Sequence, residues 1–225
     1  MNYFSGNLER VLQIGEPLVA KSTIFGNNPV WNSIFLYYPL AALELHKVKK
    51  DKSLLKIFHK YHKIYKRWAQ ASNNYVHGYQ LMCAELAKSE GKKEQAIQHY
   101  KLAIESAKTG EFFHEEALCN ERFAYFYLEN GQADKATHYL KQAIIGYGKW
   151  DAPAKIDALK KKYRSILELE DKNEIANTNL QSVSVATISS NADSFDIASL
   201  MSASQAISKE IVLDKLVETM MRIVA

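Results

Sequence analysis

Between residues 40 and 152 apolar side chains recur every three or four positions and no proline interrupts them. That is the period of an amphipathic helix, and strand-like alternation is missing from the region. The pattern predicts helices over about 7–24, 29–47, 51–71, 73–89, 93–108, 112–129, 133–148 and 153–169. The punctuation falls at Gly26-Asn27-Asn28-Pro29, Gly91, Gly110, Gly131 and Asp151-Ala152-Pro153, where glycine permits a turn and proline suits the first turn of a helix. Trp68, Tyr79, Leu86, Tyr100, Phe123, Tyr127, Leu140 and Trp150 are the large residues expected to fill the space between helices.

The pattern changes after Tyr163. Residues 176–192 are uncharged and rich in Ser, Thr and Asn, which predicts a linker over 171–194. Beyond it Ile197, Leu200, Ile207 and Ile211, then Leu213, Leu216, Met220 and Ile223, return to helical spacing with a change of phase near Ser208-Lys209-Glu210. These stripes need a cover, so a dimer through 195–225 is expected, and the chain reads as a piece of something longer. The organisation is a helical domain over 1–170, a polar linker over 171–194 and an amphipathic helical segment over 195–225.

A shift of forty residues superimposes Ala84 on Ala124, Gly91 on Gly131, Ala96 on Ala136, Ala103 on Ala143 and Ile104 on Ile144, with Tyr100 falling on Leu140. Small residues at fixed intervals let two helices approach closely, the large one fills the gap to the next hairpin, and the glycine allows the turn. These spacings resemble the tetratricopeptide repeat, although the period exceeds the usual 34 residues. The expected fold is therefore all-α: antiparallel helical hairpins stacked as a tetratricopeptide-like solenoid. Residues 153–169, with Ile156, Leu159, Tyr163 and Ile166 on one face, supply its closing helix.

Two stretches carry a wider resemblance. The string from Glu115-Glu116-Ala117-Leu118-Cys119-Asn120-Glu121 through Phe126-Tyr127-Leu128 to Tyr147-Gly148-Lys149-Trp150-Asp151-Ala152-Pro153-Ala154-Lys155 resembles the helical repeat region of large bacterial multi-sensor signalling kinases. The tail from Asp196-Ile197-Ala198-Ser199-Leu200 to Leu213-Asp214-Lys215-Leu216-Val217 is similar to the helix entering that family's GAF domain. Such proteins join a Ser/Thr kinase and an AAA-type ATPase to a GAF sensor and a histidine kinase. The resemblance implies a connector or scaffold of a cytoplasmic signalling protein, with residues 195–225 as a signalling helix and the first helix of a truncated GAF domain. A stand-alone tetratricopeptide-like adaptor that binds peptides is the alternative reading.

No Gly-x-x-x-x-Gly-Lys-Ser/Thr, His-Arg-Asp, Asp-Phe-Gly or phosphoacceptor-histidine box occurs, so no catalytic residue, cofactor or metal is assigned. His59 and His62 are three apart, but no third ligand lies near them in sequence, and amphipathic packing explains them. The pairs Glu115/Glu116 and Glu168/Glu170 read as helix surface. No apolar run is long enough to span a bilayer, no signal peptide begins the chain, and Cys83 and Cys119 lie within helical sequence, so a reduced, soluble, cytoplasmic chain is expected.

The net charge of +4 is local. Residues 47–67 hold nine basic residues against Asp51, a balance of +8, and the remainder carries −4. On a helix Lys56, Lys60, Lys63 and Arg67 form one stripe, while Leu54, Phe58, Tyr61, Tyr65 and Trp68 gather on another side. The stripe is a solvated face that suits an acidic protein partner; no nucleic-acid partner is expected.

Overall fold

The structure is a computed structural model that describes residue 3 and residues 6–21 and 29–167, with the side chains of 29–32 excepted. The chain divides into a unit of residues 1–173 and a unit of residues 174–225. All described residues belong to the first; the expected linker, signalling helix and dimer contact lie outside them. Among the described residues there is no strand, and no helix is long and apolar enough to cross a membrane.

Eight helices run through the described residues: α1 Leu8–Ala20, α2 Pro29–Lys49, α3 Lys52–Ala71, α4 Val76–Ser89, α5 Lys93–Thr109, α6 Phe113–Glu129, α7 Ala133–Lys149 and α8 Pro153–Lys162, with a short 3-10 turn at Asn73–Tyr75 before α4. Local chemistry sets their ends. The side chain of Asn7 accepts from the Arg10 amide at 3.2 Å and that of Asp51 accepts from the Ser53 amide at 2.8 Å, so each satisfies a donor that the helix itself leaves free. Pro153 opens α8, where its fixed φ suits the first turn.

Four successive helices stop in the same way. The amides of Lys92, Phe112, Gln132 and Ala152 donate to the carbonyls of Ala87, Ala107, Tyr127 and Tyr147 at 2.9, 3.0, 2.9 and 3.0 Å. These are Schellman closures, which need the preceding residue in the left-handed region. Gly91, Glu111, Gly131 and Asp151 occupy it, with φ of +75°, +57°, +70° and +53°. The turn expected at Gly110 is thus displaced by one residue. Gly110 has a φ of −88°, and a Cβ on it would lie 2.5 Å from Cε2 of Phe112.

The helices stack in order. α2 pairs with α3, α4 with α5 and α6 with α7; α3 packs on α4, α5 on α6 and α8 on α7, and the first helices of the hairpins also touch, α2 to α4 and α4 to α6. The small residues of the repeat lie where backbones meet: Ala84, Ala96, Ala103, Ala124, Ala136 and Ala143 are fully buried, as are Tyr100 and Leu140. Tyr100 stacks on Phe123 with ring centroids 4.9 Å apart, and Tyr127 and Tyr139 continue the aromatic layer toward α7. Burial of such rings is the main stabilising term, with roughly 0.5–1.5 kcal/mol more from each well-placed aromatic pair.

Among the residues expected to fill the stack, Phe123 and Tyr127 are also buried, and Trp68, Tyr79 and Leu86 are half-buried. Trp150 is a correction. It is the C-cap residue of α7, remains 39% exposed and lies at the rim between the rings of His114 and Tyr147, with centroids at 5.1 and 6.3 Å.

Candidate functional site

The most enclosed helix is α6, and it carries consecutive charged residues, Glu121 and Arg122, that are 3% and 7% exposed. Successive residues on a helix point about 100° apart, so Glu121, Arg122 and Phe123 meet three different neighbours. Phe123 enters the aromatic layer. Arg122 Nε donates to Oε1 of Glu85 on α4 at 2.8 Å, and its Nη2 donates to Glu44 on α2. Glu121 Oε2 accepts from the Tyr147 hydroxyl on α7 at 2.5 Å, while its Oε1 accepts from Lys155 Nζ on α8 at 2.8 Å and from the Tyr125 hydroxyl.

Glu85 also accepts from the Tyr100 hydroxyl on α5 at 2.6 Å and faces Lys47 Nζ of α2 at 3.5 Å. The carboxylates of Glu44, Glu85 and Glu121 are thereby balanced by Lys47, Arg122 and Lys155, so the buried charge is neutral as a set. A buried ion is tolerated only when paired and hydrogen-bonded, and here α6 ties α2, α4, α7 and α8 through such contacts, with α5 joined through Glu85. Burial, and then the neighbouring Glu85, push the Tyr100 hydroxyl well above its ordinary range, and burial with Glu121 does the same to Tyr147. Both phenols therefore remain proton donors to their carboxylates.

Above this network lies a cavity of about 300 Å³ lined by Tyr3, Glu44, Glu121, Arg122, Tyr125 and Lys162 among others. A second hollow of about 270 Å³ shares Glu44, Arg122, Tyr125 and Lys162 and adds Lys88, Leu128, Glu129 and Tyr163. Together they trace a groove across α6, floored by the buried network and edged by α2 and α8. Tyr3 stacks on Tyr37 at 5.2 Å, and burial raises its hydroxyl to about 12 despite the opposing influence of Arg122. Lys162 Nζ lies over the rings of Tyr125 and Tyr163 at 5.0 and 5.1 Å.

Other polar groups behave differently from their expected roles. Glu115, read from sequence as helix surface, is 8% exposed; its Oε1 meets His114 Nε2 at 2.6 Å, and its Oε2 is buried without a hydrogen-bond partner, like Nδ1 of His77. The amphipathic pattern places Glu115 at the start of α6, and the adjoining hairpin then covers it. His62 faces Sγ of Cys83 at 3.3 Å across α3 and α4, and no three metal-ligating side chains converge among the described residues. Burial pushes both thiols up, Cys119 furthest.

Lys56, Lys60, Lys63 and Arg67 are exposed on the outer side of α3, opposite the buried Leu54, Phe58, Tyr61 and Tyr65. They are remote from the groove, which uses none of them. Glu44, Glu85, Glu121, Arg122, Tyr147 and Lys155 escaped the sequence reading because their partners lie tens of positions away. The only available signal was a polar cluster, Asn120-Glu121-Arg122, inside an otherwise apolar or aromatic stretch from Ala117 to Leu128.

The fold is a stack of antiparallel helices with a polar groove over its central member. No family model matches the chain, and no curated protein does. Among solved structures, that of BtubC (BKLC) from P. vanneervenii is similar over 72% of this chain and 66% of that one, at 13% identity and a TM-score of 0.47. The chain thus spans just under two thirds of that neighbour's length.

Proposed function

We propose that this chain is a non-catalytic helical scaffold, a tetratricopeptide-like solenoid that mediates protein–protein or interdomain contacts. The observation that carries the reading is the groove across α6, in which the two hollows share Glu44, Arg122, Tyr125 and Lys162. Its floor consists of carboxylates already engaged by tyrosine hydroxyls and cations, so the buried groups act as cross-links between helices, and a ligand meets aromatic rings and charges of both signs at the rim. Such a surface suits an extended polypeptide segment, whose backbone and side chains supply both donors and acceptors.

The sequence resemblance to bacterial multi-sensor kinases supports a role as connector within a cytoplasmic signalling protein, in which the stack holds neighbouring domains in register and residues 195–225 lead toward a GAF domain. The groove would then receive a segment of a neighbouring domain. Phage display of random peptides on the full chain, repeated on Lys162→Glu, tests the groove. Enriched peptides that bind the parent and lose affinity for the variant are expected. A failure to enrich any peptide, or equal binding to both proteins, overturns it.

A further inference from the structure

The charge on α3 differs in kind from that on the other outward helices. α3 carries Lys52, Lys56, Lys60, Lys63, Lys66 and Arg67, all exposed, and no acidic residue. α5 sets Glu94 and Glu105 among its lysines, and α7 sets Asp134 among its own. Lys47, Lys49, Lys88, Lys92, Arg122 and Lys155, together with His114, are among the basic groups held in ion pairs, whereas no pair within 4 Å among the described residues takes an α3 cation. Lys60 does no more than lie 5.3 Å above the ring of Tyr61.

Lys52, Lys56, Lys60, Lys63 and Arg67 are spaced by four, four, three and four positions, so each is a surface neighbour of the next. Like charges at that spacing repel, and nothing on the same helix relieves them. Over the fifteen positions the stripe advances about 22 Å and turns only about 60° around the helix, so it is nearly straight. The other exposed side chains of α3 are polar except for Ala71 at its end, and the aromatic residues face inward. Apart from the imidazole of the exposed His59, the stripe offers bases no ring to stack on, and it offers a bilayer no apolar wedge. A second α-helix has the same rise and pitch, so carboxylates repeating at four, four, three and four positions meet all five cations in register. The phosphates of a duplex follow a curved path and do not.

We propose that the exposed face of α3 is a docking surface for an acidic α-helix of a protein partner, held by a ladder of ion pairs to Lys52, Lys56, Lys60, Lys63 and Arg67. This surface is separate from the groove across α6 and does not depend on it. The test uses fluorescence anisotropy with three labelled probes: an alanine-based helical peptide of about 20 residues carrying glutamates at that spacing, the same composition scrambled, and a DNA duplex of similar length. The full chain is compared with the triple variant Lys56→Gln, Lys60→Gln, Lys63→Gln, whose thermal unfolding is measured alongside because all three sites are exposed.

The in-register peptide is expected to bind more tightly than the scrambled one, to lose roughly tenfold or more in affinity for the triple variant, and to weaken as salt rises. Equal binding of the two peptides, unchanged affinity for a folded triple variant, or tighter binding of the duplex than of the in-register peptide overturns the proposal.

Discussion

Arg122 on α6 and Glu85 on α4 meet at 2.8 Å although 37 positions separate them, and the carboxylate oxygen they share also takes the Tyr100 hydroxyl at 2.6 Å. Glu85 is 1% exposed, so removing Arg122 leaves an interior charge with only the longer contact to Lys47 at 3.5 Å to compensate it. Arg122→Met is expected to destabilise the domain by about 3–5 kcal/mol, read from urea unfolding. Adding Glu85→Leu removes the stranded carboxylate, so the double variant should cost less than the sum of the two single ones by about 0.5–3 kcal/mol. Additive costs would show that the two residues do not act as a unit.

The four left-handed turn residues divide by type. At Gly91 and Gly131 a Cβ meets nothing within 4 Å, so Gly91→Ala and Gly131→Ala should each cost about 1 kcal/mol through backbone conformation alone. Glu111 and Asp151 hold the same conformation with a side chain, so Glu111→Gly and Asp151→Gly should gain a comparable amount or lose nothing. Melting temperatures of the four variants check the sign at each turn.

Close approach sets a third expectation. Gly146 lies inside α7, where alanine gains about 1 kcal/mol on propensity alone. A Cβ there falls 2.9 Å from Cβ and 3.2 Å from Cα of Ala117 on α6, so Gly146→Ala should instead destabilise by about 1–3 kcal/mol. Ala96→Glu and Ala136→Glu place a carboxylate at fully buried positions and should unfold the stack at ordinary temperature. Circular dichroism of a cooperative melt near the parent value for either variant would contradict the close-packing assignment.

Three histidines make stability depend on pH. Burial lowers the folded-state pKa of His77 below 6.5, opposed by Glu115 and reinforced by His114, and burial also lowers His62 and His99. Above about pH 7.5, well past the unfolded pKa of about 6.5, these rings are neutral in both states and stability is at its full value. As pH falls below that, the unfolded chain takes up protons that the folded chain refuses, and stability declines until the depressed folded-state values are passed. The melting temperature should therefore drop between about pH 7.5 and pH 5.5, and His77→Gln should flatten the profile relative to the parent. Identical slopes for the two proteins would remove His77 from this role.

The helices were legible because their signal is local. The three-four recurrence from residue 40 to 152, Asp51 ahead of α3 and Pro153 at the start of α8 each act within one or two turns. The forty-residue repeat marked Ala84, Ala96, Ala124 and Ala136 by their lack of bulk, and the stripe of Lys56, Lys60, Lys63 and Arg67 followed from helical geometry. The misplacement at Gly110 has an equally local cause: glycine is compatible with the left-handed turn, but Phe112 needs the space above residue 110, and Glu111 takes the positive φ instead.

By itself, then, the sequence determined where the helices lie, which sides of them are apolar and where small residues allow contact, since periodicity and bulk depend only on near neighbours. Only the tertiary structure decided which charges are buried. The charge of Glu85, Glu115, Glu121 and Arg122 predicts a surface position for each. They became interior because α6 is packed against α4, α5 and α7, and closure of the stack brings Glu44 from α2 and Lys155 from α8 to it from 78 and 34 positions away. A buried ion is a property of the partner that reaches it, and no pattern within one helix specifies that partner.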